Sequence, residues 1–108
     1  MSETLTKVQT LIVERKYFIS SHALVEAEND AISLSDLLGA MQQAVVVEDY
    51  PDANRGPSVL CLIEMPSGEF VHVVWGIPKA EPDKTGLVTA YIPDPNLWSS
   101  DFKRRIAK

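Results

Sequence analysis

The chain has 108 residues and a formal net charge of −5, with two histidines and one cysteine. That length makes one domain able to bury a core without staples. The negative balance disfavours non-specific attachment to nucleic acid or to an anionic membrane, though it does not exclude a local basic patch. A single cysteine excludes a disulfide framework and a cysteine-based metal site.

The N-terminus, Met1-Ser2-Glu3-Thr4, lacks the basic region and apolar stretch of a signal peptide. No segment approaches the length needed to span a bilayer, so no membrane association and a cytoplasmic location are expected.

In chain order, Leu5, Val8, Leu11 and Ile12 fall on one helical stripe, with Lys7, Thr10 and Glu14 roughly opposite. This predicts a first helix from about Glu3 to Arg15, with Ser2 as N-cap. Tyr17-Phe18-Ile19 reads as a brief extended connector. Ser20 or Ser21 caps a second helix through His22, Ala23, Leu24, Ala27 and Glu28, whose small residues permit close approach to a neighbour. Ser33-Leu34-Ser35-Asp36 resembles a capping box. Behind it Leu34, Leu37, Leu38 and Met41 recur at helical spacing and predict a third helix.

After Gln43 the period changes. Val45 to Tyr50 reads as a strand, Pro51 to Pro57 as a loop, and Ser58 to Met65 as a second strand. Cys61 lies in the run Val59-Leu60-Cys61-Leu62-Ile63 and reads as a small buried hydrophobe. Pro66-Ser67-Gly68-Glu69 has the length and chemistry of a hairpin turn. Phe70-Val71-His72-Val73-Val74-Trp75 is the third strand, apolar on both faces, and therefore expected at the centre of its sheet. A polar loop from Ile77 to Gly86 leads to a fourth strand, Leu87 to Ile92, ended by Pro93-Asp94-Pro95. The tail from Trp98 to Arg105 is expected to form one or two helical turns, with Trp98 and Phe102 packing back onto the domain.

Helices first and strands afterwards predict an α+β fold: a four-stranded antiparallel meander with helices on one face and a short C-terminal tail. The whole chain, 1–108, is one domain, in which 1–15 form an N-terminal helical extension. There are no internal repeats.

His72 is the one polar group on the central strand. Imidazole suits proton transfer near neutral pH, and a strand holds it rigidly. Thr89 and Tyr91 share a face of the fourth strand. If that strand pairs with the third, their hydroxyls can stand near His72 and donate to a developing oxyanion. His22, at the start of the second helix, is the other candidate acid or base. Lys103-Arg104-Arg105 beside Trp98 and Phe102 forms a basic, aromatic cluster of the kind that meets phosphates and bases. Arg104, Arg105 and Trp98 are therefore candidate substrate-binding residues. Each group also has an ordinary structural reading: a hydrogen-bonded histidine, strand-forming Thr and Tyr, a solvated basic end. Two histidines without matching spacing do not make a metal site. No phosphate loop, serine nucleophile motif or cofactor signature is present.

These residues carry a resemblance. Ser21-His22-Ala23, then Ile32-Ser33 with Asp36-Leu37 and Met41, are followed by Val47-Glu48-Asp49-Tyr50-Pro51-Asp52 and Val71-His72-Val73-Val74. Val88 to Asp94, and Trp98 followed by Asp101-Phe102 and an Arg pair, complete the series. Together they resemble the small bacterial domain-of-unknown-function family forty-two fifty-eight, from about Phe18 to Arg105 within the region 16–105. That family is regarded as distantly similar to RelE-type and BrnT-type toxins, which are small ribonucleases. The resemblance thus implies helices followed by a four-stranded antiparallel sheet and, by analogy, action on RNA. Family members often carry an Arg three or four residues beyond the Ala of Ser-His-Ala. Here Leu24-Val25-Glu26-Ala27-Glu28 offers carboxylates instead, so a cation able to meet phosphate is missing.

Two readings follow. One is a ribonuclease scaffold on RNA, intact or degenerate in this member, with His72 as acid or base, Tyr91 and Thr89 stabilising charge and Arg104 or Arg105 holding phosphate. The other is a non-catalytic module binding a protein, or another copy of the chain, through a sheet edge or the Trp98 tail. A positive groove beside His72 favours RNA; an apolar patch around Trp98 favours a protein.

Overall fold

The computed structural model describes residues 2–106. Helix α1 spans Glu3–Val13, strand β1 Tyr17–Ile19, α2 Ser21–Asn29 and α3 Leu34–Ala40, with a single 3-10 turn at Met41–Gln43. Strands β2 (Val45–Tyr50), β3 (Ser58–Glu64), β4 (Phe70–Gly76) and β5 (Thr85–Tyr91) follow.

Each helix begins where a serine satisfies free backbone N–H groups. The Ser2 hydroxyl accepts from Leu5 N–H, Ser20 from Ala23 N–H and Ser33 from Asp36 N–H. Ala23 and Ala27 give α2 its close approach, while Leu24 and Val25 face outward. Leu37 and Met41 of the third stripe are fully buried.

The sheet has five strands in the order β1-β5-β4-β3-β2, so β4 is central, as its two apolar faces require. β2 to β5 form the expected antiparallel meander. The expectation of four strands is corrected by β1, which runs parallel to β5 with Tyr17, Phe18 and Ile19 opposite Thr85, Gly86 and Leu87. The physical reason is hydrogen bonding. The connector is already extended, and the outer edge of β5 has backbone groups to satisfy. A pairing between such distant segments leaves no local periodicity to read.

All three helices lie against one face. Leu5, Val8, Ala23, Ala27, Leu37 and Met41 share a core with Val59, Cys61, Ile63, Val71, Val73 and Trp75. Burial, and secondarily Asp49, pushes the Cys61 thiol up to about 12, so it is a packing residue.

The opposite face is open at one end and covered at the other. Leu60 and Leu62 point away from the helices, yet they are buried. The C-terminal segment lies over this face, against His72, Phe70 and Glu48. It is not helical as expected from the Trp98–Phe102 spacing. Asp94 organises a turn through the N–H groups of Leu97 and Trp98, and Trp98 then forms an antiparallel bridge with Arg105. Between them the Ser99 and Asp101 side chains accept from the Arg104 and Lys103 N–H groups, and Phe102 turns in the left-handed region with φ 60°. These local side-chain bonds compete with a helix and close a small strap instead.

Candidate functional site

Two β-bulges set which side chains reach the strap-covered face. In β2 the register shifts between Val46 and Glu48, so Val47 is the extra residue. Simple alternation would place Glu48 and Tyr50 with Val46 on the helix side. The bulge turns Glu48 opposite Leu60 and Tyr50 opposite Ser58, onto the outer face. In β5 the shift falls between the partners of Val74 and Trp75, leaving Val88 unpaired in register. Leu87 and Ala90 therefore both enter the core, while Thr89 and Tyr91 face outward, opposite Val74 and His72.

His72 is the centre of this face and is fully buried. Its Nε2 lies 2.7 Å from the carbonyl oxygen of Phe102 in the strap. A carbonyl only accepts, so Nε2 carries the proton and donates it. Nδ1 then accepts from the Tyr91 hydroxyl at 3.2 Å. Trp98 meets the imidazole edge-on, with ring centroids 4.4 Å apart. Burial is the largest influence and holds the His72 pKa below its ordinary value; the Phe102 carbonyl opposes it, and Arg105 adds to it.

The strap is fastened at two further points. Phe102 packs on Phe70, with centroids 6.0 Å apart. Arg105 lies over Trp98, 4.7 Å from its centroid, and forks onto Glu48 with Nε and Nη2 at 3.3 and 3.1 Å from the two carboxylate oxygens. The Tyr50 hydroxyl donates to the same carboxylate. Arg105 first, and Tyr50 second, hold the Glu48 carboxyl below its ordinary range; in return the Tyr50 phenol is raised.

Of the expected site residues, His72, Tyr91, Trp98 and Arg105 are brought together. Thr89 shares their face but stands opposite Val74, one residue pair along from His72. Arg104 is exposed and engages the strap only through its backbone. His22 sits on the exposed first turn of α2, in the helical layer, with Nε2 3.3 Å from Glu26. Glu48 and Tyr50 belong to the cluster without having been singled out by sequence. Their spacing of two residues puts them on one face of a strand, but only the bulge says which face. Among the described residues no group of three or more His, Cys, Asp or Glu could hold a metal ion. No described helix is long and apolar enough to cross a membrane.

Fold and site define a small α+β domain whose sheet carries helices on one face and a clustered His-Tyr-Glu-Arg site under a C-terminal strap on the other. A family model, Domain of unknown function (DUF4258), matches residues 19–92, and the chain belongs to that family. No curated protein and no solved structure matches it.

Proposed function

We propose that the chain is a ribonuclease-type scaffold acting on RNA, with its acid and base groups closed under the strap. The observation that carries this reading is the convergence of Glu48, Tyr50, His72, Tyr91 and Arg105 on one sheet face. Cleavage of an RNA strand by its own 2′-hydroxyl needs three things: a base for that hydroxyl, a proton for the departing 5′-oxygen, and positive charge beside the phosphorus.

In the closed form His72 cannot serve as base, because both ring nitrogens are occupied. Lifting the strap removes the Phe102 carbonyl. Once solvent reaches the ring, water can take the Nε2 proton and return one to Nδ1; the Tyr91 hydroxyl then turns to accept from Nδ1–H, and the Nε2 lone pair is free to take the 2′-proton. Arg104 and Arg105, carried on the strap, supply positive charge for the phosphate. The Tyr50 hydroxyl, or water, returns a proton to the leaving oxygen.

The test compares the native chain with Trp98→Ala, which loosens the strap, on single-stranded RNA. The loosened chain should cleave and leave 2′,3′-cyclic phosphate ends. Adding His72→Ala to it should lower the rate about 10²–10⁴-fold. Absence of cleavage by both chains across substrates of varied sequence rejects the reading.

One observation favours a second reading, a non-catalytic module for a protein partner: no part of His72 is exposed. Trp98 is itself buried, so the partner would meet a sheet edge, β1 or β2, rather than the Trp98 ring. In that case His72→Ala lowers the melting temperature and there is no cleavage to lose.

A further inference from the structure

Beyond the strap the outer face opens into a groove of about 470 Å³ between the β2–β3 loop and strands β1, β4 and β5. We infer that this groove seats one base of an RNA strand, with the adjoining phosphate at Arg55. The inference rests on the proposed action on RNA and specifies a subsite for it.

The floor of the groove is a cross-strand pair of glycines, Gly76 and Gly86. At Gly86 a Cβ would stand 2.3 Å from the Phe18 ring, which lies across it, so a side chain there would displace that ring. Gly76 meets no such obstacle. A Cβ on it would meet Val88, Pro57 and Ser58 at 3.7–3.9 Å, ordinary contact distances. Glycine at 76 is therefore not demanded by packing; its effect is to leave the groove floor bare backbone. Phe18 forms a half-exposed aromatic wall, and Val74 and Val88 add apolar surface. A slot with a flat floor and an aromatic wall fits a planar ring, and bases stack on aromatic side chains irrespective of sequence.

Charge and position select the occupant. Arg55 is the sole charged residue lining the groove, and it makes no ion pair among the described residues. Asn54 adds an amide at the same rim. A planar group carrying an adjacent anion matches that arrangement. Val74 lies two residues from His72 on the same face of β4, a separation of about 7 Å. A strand seated in the groove thus continues directly towards the His72 cluster.

The test follows amide chemical shifts of the full chain with adenosine, adenosine 5′-monophosphate and a short oligoadenylate. Shifts should be confined to the groove: Phe18, Val74, Gly76 and Val88 with every ligand, and Asn54 and Arg55 in addition with the phosphate-bearing ones. The monophosphate should bind at least tenfold tighter than adenosine, and the oligonucleotide tighter again. Gly76→Val fills the floor and should abolish these shifts. Arg55→Gln, a surface change, should remove the preference for phosphate and decides the matter if the valine variant does not fold. Equal binding of adenosine and its monophosphate, or no shifts in the groove at millimolar nucleotide, overturns the inference. Binding of the monophosphate but not the oligonucleotide marks a free-nucleotide site and overturns the RNA strand as occupant. RNA cleavage unaffected by Gly76→Val removes the subsite and leaves the proposed activity standing; groove binding without cleavage does the reverse.

Discussion

The imidazole Nε2 of His72 donates to the carbonyl oxygen of Phe102 across 2.7 Å, joining the central strand to a segment thirty residues further on. The bond fixes the histidine tautomer, and it occupies the nitrogen that a base would use. Its histidine side is fully buried and the bond as a whole is partly shielded from water, where leaving a carbonyl unpaired is costly. His72→Ala should therefore destabilise the chain by about 2–4 kcal/mol, through the cavity and the orphaned Phe102 and Tyr91 groups. Urea denaturation measures this. A loss under about 0.5 kcal/mol would mean that the histidine does not hold the strap.

The strap has a strong and a weak fastening, and their order is testable. Trp98 is buried against His72, and its truncation to alanine should cost about 3–5 kcal/mol. The Arg105–Glu48 pair has Arg105 largely in solvent. Even with the contact over Trp98, Arg105→Ala should cost at most about 1.5 kcal/mol. Comparing the two variants by thermal melting decides the point. A larger loss for Arg105 would show that charge, rather than the buried indole, fastens the strap.

How much of this could be read in the sequence follows from which interactions are local. The three helices and their serine caps are encoded by neighbours three and four residues apart, so they were legible. The antiparallel meander was legible too, because each strand is followed by a short turn or loop. β1 was not, since Tyr17–Ile19 becomes a strand only by pairing with residues near 86. The partnership of His72 with Tyr91 could be posed as a condition on strand pairing, and the register meets it. Glu48 and Tyr50 could not be placed, because the bulge at Val47 moves both to the other face. The strap reads as helical in the sequence. Its Trp98–Phe102 spacing fits a helix, but Ser99 and Asp101 satisfy the backbone in a turn instead.

Acid should loosen the strap, and the sign follows from two groups. The folded state lowers the His72 pKa, chiefly by burial, from an ordinary 6.5. The unfolded chain then binds the proton more readily, so stability rises with pH through this window. The contribution is fully present above about 6.5 and is lost as the pH falls through the folded value. Glu48 acts in the same direction at lower pH. Its carboxyl is held below 4.5, mainly by Arg105, and protonation removes that pairing. Melting temperature should fall from pH 7 towards pH 5, and the part of the fall above pH 5 should disappear in His72→Phe. An unchanged acid limb in that variant would assign the titration to another group.

The last prediction concerns Gly86 and Phe18. Gly86 does not occupy the left-handed region, so alanine is compatible with its backbone. The obstacle is the Phe18 ring, three of whose atoms lie 2.3–2.9 Å from where the Cβ would stand. Gly86→Ala must push that ring off β5, and overpacking of this kind costs about 1–3 kcal/mol. Phe18 is on the three-residue strand β1, so the displacement should also expose the Lys16–Ser20 backbone to hydrogen exchange. In a Phe18→Ala background the obstacle is gone, and Gly86→Ala should cost less than about 0.5 kcal/mol. The difference between the two costs is the coupling between the residues, and a double-mutant cycle isolates it. Additive effects would mean that the ring yields freely and that Gly86 is required for some other reason. A large coupling, together with unchanged melting of Gly76→Ala, would establish that the two glycines facing each other across β4 and β5 serve different purposes: one makes room for Phe18, and the other leaves room beside it.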